Sequence, residues 1–150
     1  MTIKRYGAAS VKLNDTTLWI MGGYNSGAYL DSSEFIGLDS TVGNPGPKLP
    51  NPLEWSCAVK YSADKVYVIG GYDGSSILNK VLIFNPMDGF SHIEGPSLIT
   101  KRSGHACALM SNGQQKQIVV AGGGSLSSVE IFDPTVNKWV QGKRNTLYLK

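Results

Sequence analysis

The sequence has little that would direct it to a membrane or to a nucleic acid. Its 150 residues contain no apolar run of transmembrane length. The formal net charge is only +3, with no basic block and no acidic tail. This mild charge argues against nucleic acids and anionic membrane surfaces as partners. The first ten residues, MTIKRYGAAS, lack the apolar core of roughly 7–15 residues that marks a signal peptide.

Cysteine and histidine are also scarce. Cys57 and Cys107 are the two cysteines. They make no disulfide framework, and we interpret them as small buried thiols in a reducing, cytoplasmic environment. His92 and His105 have no second histidine or cysteine at ligand spacing, so the sequence predicts no metal site and no cofactor.

No arrangement of residues typical of an enzyme is present in the sequence. The glycine-rich stretches 70–76 and 122–128 do not continue to Gly-Lys-Ser/Thr, and neither opens a helical pattern. A phosphate-binding loop is therefore not expected at either position, because it would need amides at a helix N-terminus. We predict that the chain is not an enzyme.

Glycine, in contrast, is abundant, and it marks an internal repeat. Three segments align on a pair of adjacent glycines that follows a short run of branched and aromatic residues. The pairs are Gly22-Gly23, Gly70-Gly71 and Gly122-Gly123, so the spacings are 48 and 52 residues. Periods of this size are typical of propellers and solenoids.

The residues on either side of each glycine pair indicate short β-strands. A small-residue run precedes each pair, at 8–13, 56–61 and 105–110, and a second branched run follows it. A weaker fourth run is clearest at 133–140. Each unit therefore reads as four antiparallel strands that must pack face to face with its neighbours. The paired glycines let the backbone turn with positive φ, or approach another segment closely.

The third copy carries the most complete motif. KRSGHACAL (101–109), VVAGGG (119–124) and VEIFDPTVNKW (129–139) together resemble the kelch repeat. In the second copy, Asn85 replaces the aspartate and Phe90 replaces the tryptophan.

The first copy is less complete. It keeps Arg5, Glu34 and the glycine pair but lacks the Asp-Pro turn.

The resemblance implies an all-β, kelch-type β-propeller with one four-stranded blade per repeat. A single kelch-repeat domain would span 1–150. It would divide into blade 1 (about 4–50), blade 2 (about 51–98), blade 3 (about 99–142) and a tail, 143–150, as a candidate strand of a further blade.

Three blades do not close a ring, since propellers have about 4–8 blades. The sequence leaves two solutions open. A twofold homodimer would complete six blades, or the chain would be part of a longer propeller whose fourth blade begins at NTLYLK (145–150). In place of a fourth blade, this tail would alternatively be a strand exchanged with a partner.

The function that the resemblance implies is noncatalytic protein binding on the face that carries the loops after the glycine pairs. Arg5 and Arg102 would clamp a carboxylate, so an acidic peptide is the expected partner; packing within the blade is the competing role for both. The expected partner-binding residues are Arg5, Tyr24, Asn25, Tyr29, Trp55, Tyr72, Asp73, Ser75, Arg102 and Ser125. The expected structural residues are Gly22, Gly23, Gly70, Gly71, Gly122, Gly123 and Trp139.

Two other functions remain open at this stage. One is a structural or cytoskeletal assembly role, and the other, less favoured, is an extracellular carbohydrate-binding or oxidase-like propeller.

Overall fold

The protein is built from antiparallel β-strands, arranged in three four-stranded sheets and one small hairpin. The computed structural model describes residues 1–39 and 42–142, and no helix able to cross a membrane occurs in these parts of the chain. The predicted all-β fold of three four-stranded blades is confirmed. The tail predicted as a further strand, 143–150, lies outside the described residues.

The strands follow one another in chain order within each blade. Blade 1 contains β1 (Ala9–Lys12), β2 (Thr17–Met21), β5 (Ser33–Gly37) and β6 (Asn44–Pro45), with the hairpin β3 (Tyr24–Asn25) and β4 (Ala28–Tyr29) inserted after β2. Blade 2 contains β7 (Cys57–Ser62), β8 (Lys65–Ile69), β9 (Val81–Asn85) and β10 (Ser91–Glu94). Blade 3 contains β11 (Ala106–Ser111), β12 (Lys116–Ala121), β13 (Val129–Asp133) and β14 (Lys138–Gln141).

Each glycine pair stands at the end of the second strand of its blade, and all six glycines have positive φ. A Cβ atom on Gly22 would lie 2.1 Å from the carbonyl oxygen of Leu53, and one on Gly70 would lie 2.6 Å from that of Arg102. Leu53 and Arg102 belong to the segments that connect one blade to the next. Gly22 and Gly70 are therefore required for both backbone conformation and close approach.

The hydrophobic core lies between the blades. Trp19 and Met21 of blade 1 pack with Val66, Val68 and Phe84 of blade 2 in one buried cluster. A second cluster joins blades 2 and 3, and its buried members are Val59, Tyr67, Ile69, Val81, Leu98, Ile118, Val120, Phe132 and Trp139. The second strand of blade 2 contributes to both clusters, because alternate side chains point to opposite faces of its sheet.

The sequence predicts that Phe90 is the blade 2 equivalent of Trp139, and the strand register shows that this is wrong. His92 lies opposite Phe84, just as Trp139 lies opposite Phe132, so His92 is the equivalent of Trp139. Phe90 occupies a turn with φ of 60°. The sequence comparison missed this because the turn before β10 is one residue longer than the turn before β14.

Phe90 nevertheless contributes to packing between blades. Its ring lies 4.8 Å from the ring of Trp19 and 5.2 Å from that of Phe35, both in blade 1.

Cys57 and Cys107 form a disulfide, so the prediction of two free thiols is wrong. The bond joins the first strands of blades 2 and 3. Ala9 and Ala58 occupy the equivalent positions in the first strands of blades 1 and 2, as the pairing with the second strands shows. Because disulfides persist mainly in oxidising compartments, the two cysteines do not support the expectation of a cytoplasmic location, which stays a prediction.

Two matched substitutions test the role of the glycine pairs. Gly70 and Gly122 both have positive φ, but a Cβ on Gly122 meets only the carbonyl oxygen of Leu126, at 3.6 Å. Gly122→Ala should therefore cost only the backbone strain, about 1–2 kcal/mol. Gly70→Ala should cost a further ~1–3 kcal/mol, because the methyl group collides with the next blade. Urea unfolding measures both, and equal losses would contradict the close-approach argument.

Candidate partner-binding site

Arg5 and Arg102 are buried, which rules out the predicted carboxylate clamp. Each donates a hydrogen bond and forms an ion pair within its own blade, to Glu34 at 2.8 Å and to Glu130 at 2.7 Å. The exposed fraction of all four side chains is 2% or less. Both guanidinium groups also donate to backbone carbonyls, including those of Gly22 and Gly122. The arginines therefore hold the end of the second strand, and neither is available to an acidic ligand.

The paired carboxylates also hold the segment that enters the blade. Glu34 accepts from the backbone N–H groups of Thr2 and Ile3, and Glu130 accepts from those of Ile99 and Thr100. Burial alone would raise the pKa of Glu34, but the hydrogen bonds from Arg5 and from this backbone lower it to about 2.

Blade 2 has no such ion pair. Leu53 stands at the position of Arg5 and Arg102, and Leu82 at the position of the glutamates. Pro50 stands where Thr2 and Ile99 donate to the carboxylate. Because proline has no N–H group, the loss of the carboxylate leaves no donor unpaired at this position. In blade 2 both charged partners and one backbone donor are therefore replaced together. Pro50, Leu53 and Leu82 line part of a cavity of about 80 Å³.

The loops after the glycine pairs hold most of the other predicted binding residues. Tyr24 and Asn25 form β3, and Tyr29 lies in β4. Tyr72 bridges to Ile77 in the corresponding loop of blade 2.

Not every polar residue of these loops is available to a ligand. The carboxylate of Asp73 accepts from the backbone N–H groups of Ser75 and Ser76, at 2.8 and 2.7 Å, so it holds its own loop in shape. Ser125 is exposed in the shorter loop of blade 3, with φ of 70°.

A continuous row of tyrosine rings runs from blade 1 to blade 2. The ring centroids of Tyr6 and Tyr24 are 5.3 Å apart, those of Tyr24 and Tyr29 are 4.9 Å apart, and those of Tyr29 and Tyr72 are 5.5 Å apart. Three of these tyrosines were predicted. Tyr6 was missed, although it is more than half exposed, because its place in the row depends on a backbone bridge between Tyr6 and Tyr24.

Trp55 lies beside this row in an unusual backbone conformation. Its φ is 53°, in the left-handed region, and it is half exposed. Gly7 and Gly104 are the equivalents of Trp55 in blades 1 and 3, and both also have positive φ. A Cβ on Gly7 would lie 2.3 Å from the indole ring of Trp55, so the indole packs directly on that backbone. A bulky residue in this region carries strain.

Glu54 precedes Trp55 and lies beneath the aromatic row. It is 94% buried, and its Cγ atom approaches Gly7 alongside the indole. Its backbone pairs with Tyr72, whereas its carboxylate makes no hydrogen bond or ion pair with any described residue. Burial raises the pKa of this carboxyl group. The negative charge also raises the pKa of Tyr6 and of Tyr29, in both cases after the effect of burial.

His105 is buried at the junction of blades 2 and 3. Its Nε2 atom is 3.3 Å from the Sγ atom of Cys57. Burial and then the charge of Arg102 lower the pKa of His105 to about 4, so the imidazole is neutral at pH 7. No group of three or more metal-ligating side chains occurs within 1–39 and 42–142.

Residues 56–89 match the family model for the Kelch motif. This segment runs from the start of β7 to the turn after β9, and so covers three strands of blade 2 and the glycine pair between them. No curated protein matches the chain. The resemblance to the kelch-repeat family is confirmed by this match and by the propeller-blade arrangement of the three sheets.

A double-mutant cycle tests the buried ion pair of blade 3. Arg102→Leu or Glu130→Leu alone should cost about 3–5 kcal/mol of unfolding free energy, because each leaves an uncompensated buried charge. The double variant should lose less than the sum by about 2 kcal/mol or more. The exposed pair Lys80–Glu94 is the control, with a coupling below about 1 kcal/mol. Urea unfolding measures all the variants. Additive losses at Arg102 and Glu130 would contradict the interpretation that the two side chains form a stabilising buried ion pair.

Proposed function

We propose that this chain, a kelch-repeat protein built of β-propeller blades, is a noncatalytic module that binds a partner protein or peptide on its loop face. The loop face is defined by Tyr6, Tyr24, Tyr29, Trp55 and Tyr72. The observation that carries this proposal is the unbroken row of partly exposed aromatic rings across two blades. Kelch propellers commonly serve in protein–protein interaction, and the family match supports that general role.

The chemistry of the loop face suits recognition of a peptide. Tyrosine and tryptophan offer large amphipathic contacts at a low cost in side-chain entropy. The row is held by backbone hydrogen bonds, including those between Tyr6 and Tyr24 and between Glu54 and Tyr72. A surface of this kind is largely formed before the partner arrives, which lowers the cost of ordering on binding. The acidic partner expected from Arg5 and Arg102 is not part of the proposal.

A displayed library of random peptides tests the loop face. The protein should select peptides that lose at least ten-fold in affinity when Tyr29 and Tyr72 are both changed to Ser. Met87→Ser is the control, because Met87 is exposed in the turn after β9, at the opposite end of the strands from the loop face. Selected peptides that bind both variants equally would show that the loop face is not the binding surface.

We also propose that a second copy of the chain covers the open face of blade 3. The open face is a row across the four strands of that blade, Ala108, Val119, Ile131 and Val140, paired in register. In blade 2 the equivalent row begins with Val59 and Tyr67, which are buried against blade 3.

Ring geometry is compatible with a second copy as the partner of the open face. Three blades fall short of the smallest common propeller, and a twofold axis would place blade 3 of one copy against blade 1 of the other at both junctions. The facing side of blade 1 offers Leu18, Ile20 and Ile36, which are exposed or half-buried. Six blades would result.

Light scattering during gel filtration tests this assembly. A species near twice 16.1 kDa is expected across a concentration series. Val140→Asp should shift it to the monomer, because a charge would be placed in the covered row. Val136→Asp is the matched control, since Val136 is exposed in the turn before β14. A parent protein that stays monomeric would rule out the homodimer.

A further inference from the structure

We propose that Glu54, Tyr6, Tyr29 and Trp55 form a binding site for an alkylammonium cation, of the kind that a lysine or methylated lysine side chain of the partner presents. This inference rests on the proposed function and specifies the chemistry that the loop face recognises. The proposed ligand group is positively charged, whereas Arg5 and Arg102 in the sequence suggested an acidic ligand. The four residues are called the cation site below.

The carboxylate of Glu54 is the first reason for a cation. The Glu54 residue is 94% buried. Its carboxylate oxygens have no hydrogen-bond or ion-pair partner among the described residues, and they stay in contact with solvent. The other buried glutamates, Glu34 and Glu130, each have an arginine and two backbone donors. A bound cation would supply the ion pair that the other two glutamates already have, at carboxylate oxygens that solvent reaches.

The aromatic rings are the second reason. The backbone of Glu54 pairs with that of Tyr72, whose ring lies 5.5 Å from the ring of Tyr29, and Tyr6 belongs to the same row of rings. Consistent with this placement, the charge of Glu54 raises the pKa of Tyr6 and of Tyr29, in both cases after the effect of burial. The indole of Trp55 and the side chain of Glu54 both pack over Gly7. An ammonium group within about 6 Å of such rings gains a cation–π attraction, for which tryptophan is the best partner.

The backbone at Trp55 is the third and independent reason. Two of the three blades have glycine at this position with nearly the same φ, namely Gly7 and Gly104. Glycine would therefore satisfy the fold in blade 2 as well. A tryptophan in the left-handed region costs stability, and Trp55 leaves half of its surface exposed. Strain of this kind points to a binding role for the side chain.

Three tripeptides probe the cation site directly. They are Ala-Xaa-Ala peptides with blocked ends, in which Xaa is lysine, trimethyllysine or norleucine. Calorimetric titration should detect the two cationic peptides and should find norleucine at least ten-fold weaker. Trp55 fluorescence should change on binding, because Trp19 and Trp139 are buried elsewhere. The ratio between lysine and trimethyllysine tells whether the site prefers the methylated cation.

Two variants locate the interaction. Glu54→Gln should weaken both cationic peptides at least ten-fold, whereas Glu94→Gln, a change at an exposed carboxylate of blade 2, should have no effect. Trp55→Gly should weaken them as well, yet it should unfold at the same or a higher urea concentration than the parent. A destabilised Trp55→Gly protein would show that the indole serves packing and would overturn the assignment.

The outcomes separate this inference from the proposed function. Equal binding of the lysine and norleucine peptides, or cation binding that survives Glu54→Gln, would overturn the cation site. Library peptides that still depend on Tyr29 and Tyr72 would then leave the loop face as the binding surface. A third outcome is that changing Tyr29 and Tyr72 does not weaken the library peptides, whereas Glu54→Gln weakens the lysine peptide. This would support the cation site and would rule out the wider loop face as the binding surface.

Discussion

The structure depends on the close approach between the glycine pairs of blades 1 and 2 and the segments that connect these blades to the next. The N–H of Gly23 donates to the carbonyl of Leu53, and that of Gly71 donates to the carbonyl of Arg102, at 2.8 and 2.9 Å. A side chain on Gly22 or Gly70 would occupy the same space. The connecting segments are therefore held over the preceding blade, which places Glu54 and Trp55 beside the tyrosines of blade 1.

Equivalent positions in the three blades are filled by side chains of different chemical type. Blades 1 and 3 anchor the end of the second strand with a buried arginine–glutamate pair, whereas blade 2 uses Leu53 and Leu82. The replacement of both charged partners together is physically reasonable, since a lone buried charge would be strongly destabilising. The junction of blades 2 and 3 adds the Cys57–Cys107 disulfide where the preceding junction has two alanines.

Much of the fold could be predicted because the sequence contains three copies of one repeat, which can be compared with one another. The glycine pairs and the short branched runs before them fixed the number of blades and the position of the second strands. The prediction failed where the comparison depended on register or on pairing in space. The sequence aligns Phe90 with Trp139 because it does not reveal the one extra turn residue before β10. It predicts free cysteines because it does not show that the two lie in neighbouring strands.

The sequence by itself determined the blades, because strand alternation and glycine turns are local properties of the chain. Three of the tyrosines in the aromatic row, Tyr24, Tyr29 and Tyr72, could also be located from the loops that hold them. Only the tertiary structure decided which charges are available. It buried Arg5 and Arg102 against carboxylates about 30 residues away in the chain, and it left the carboxylate of Glu54 without a hydrogen-bond or ion-pair partner within 1–39 and 42–142. Charge pairing depends on distances in space, and local sequence does not encode them.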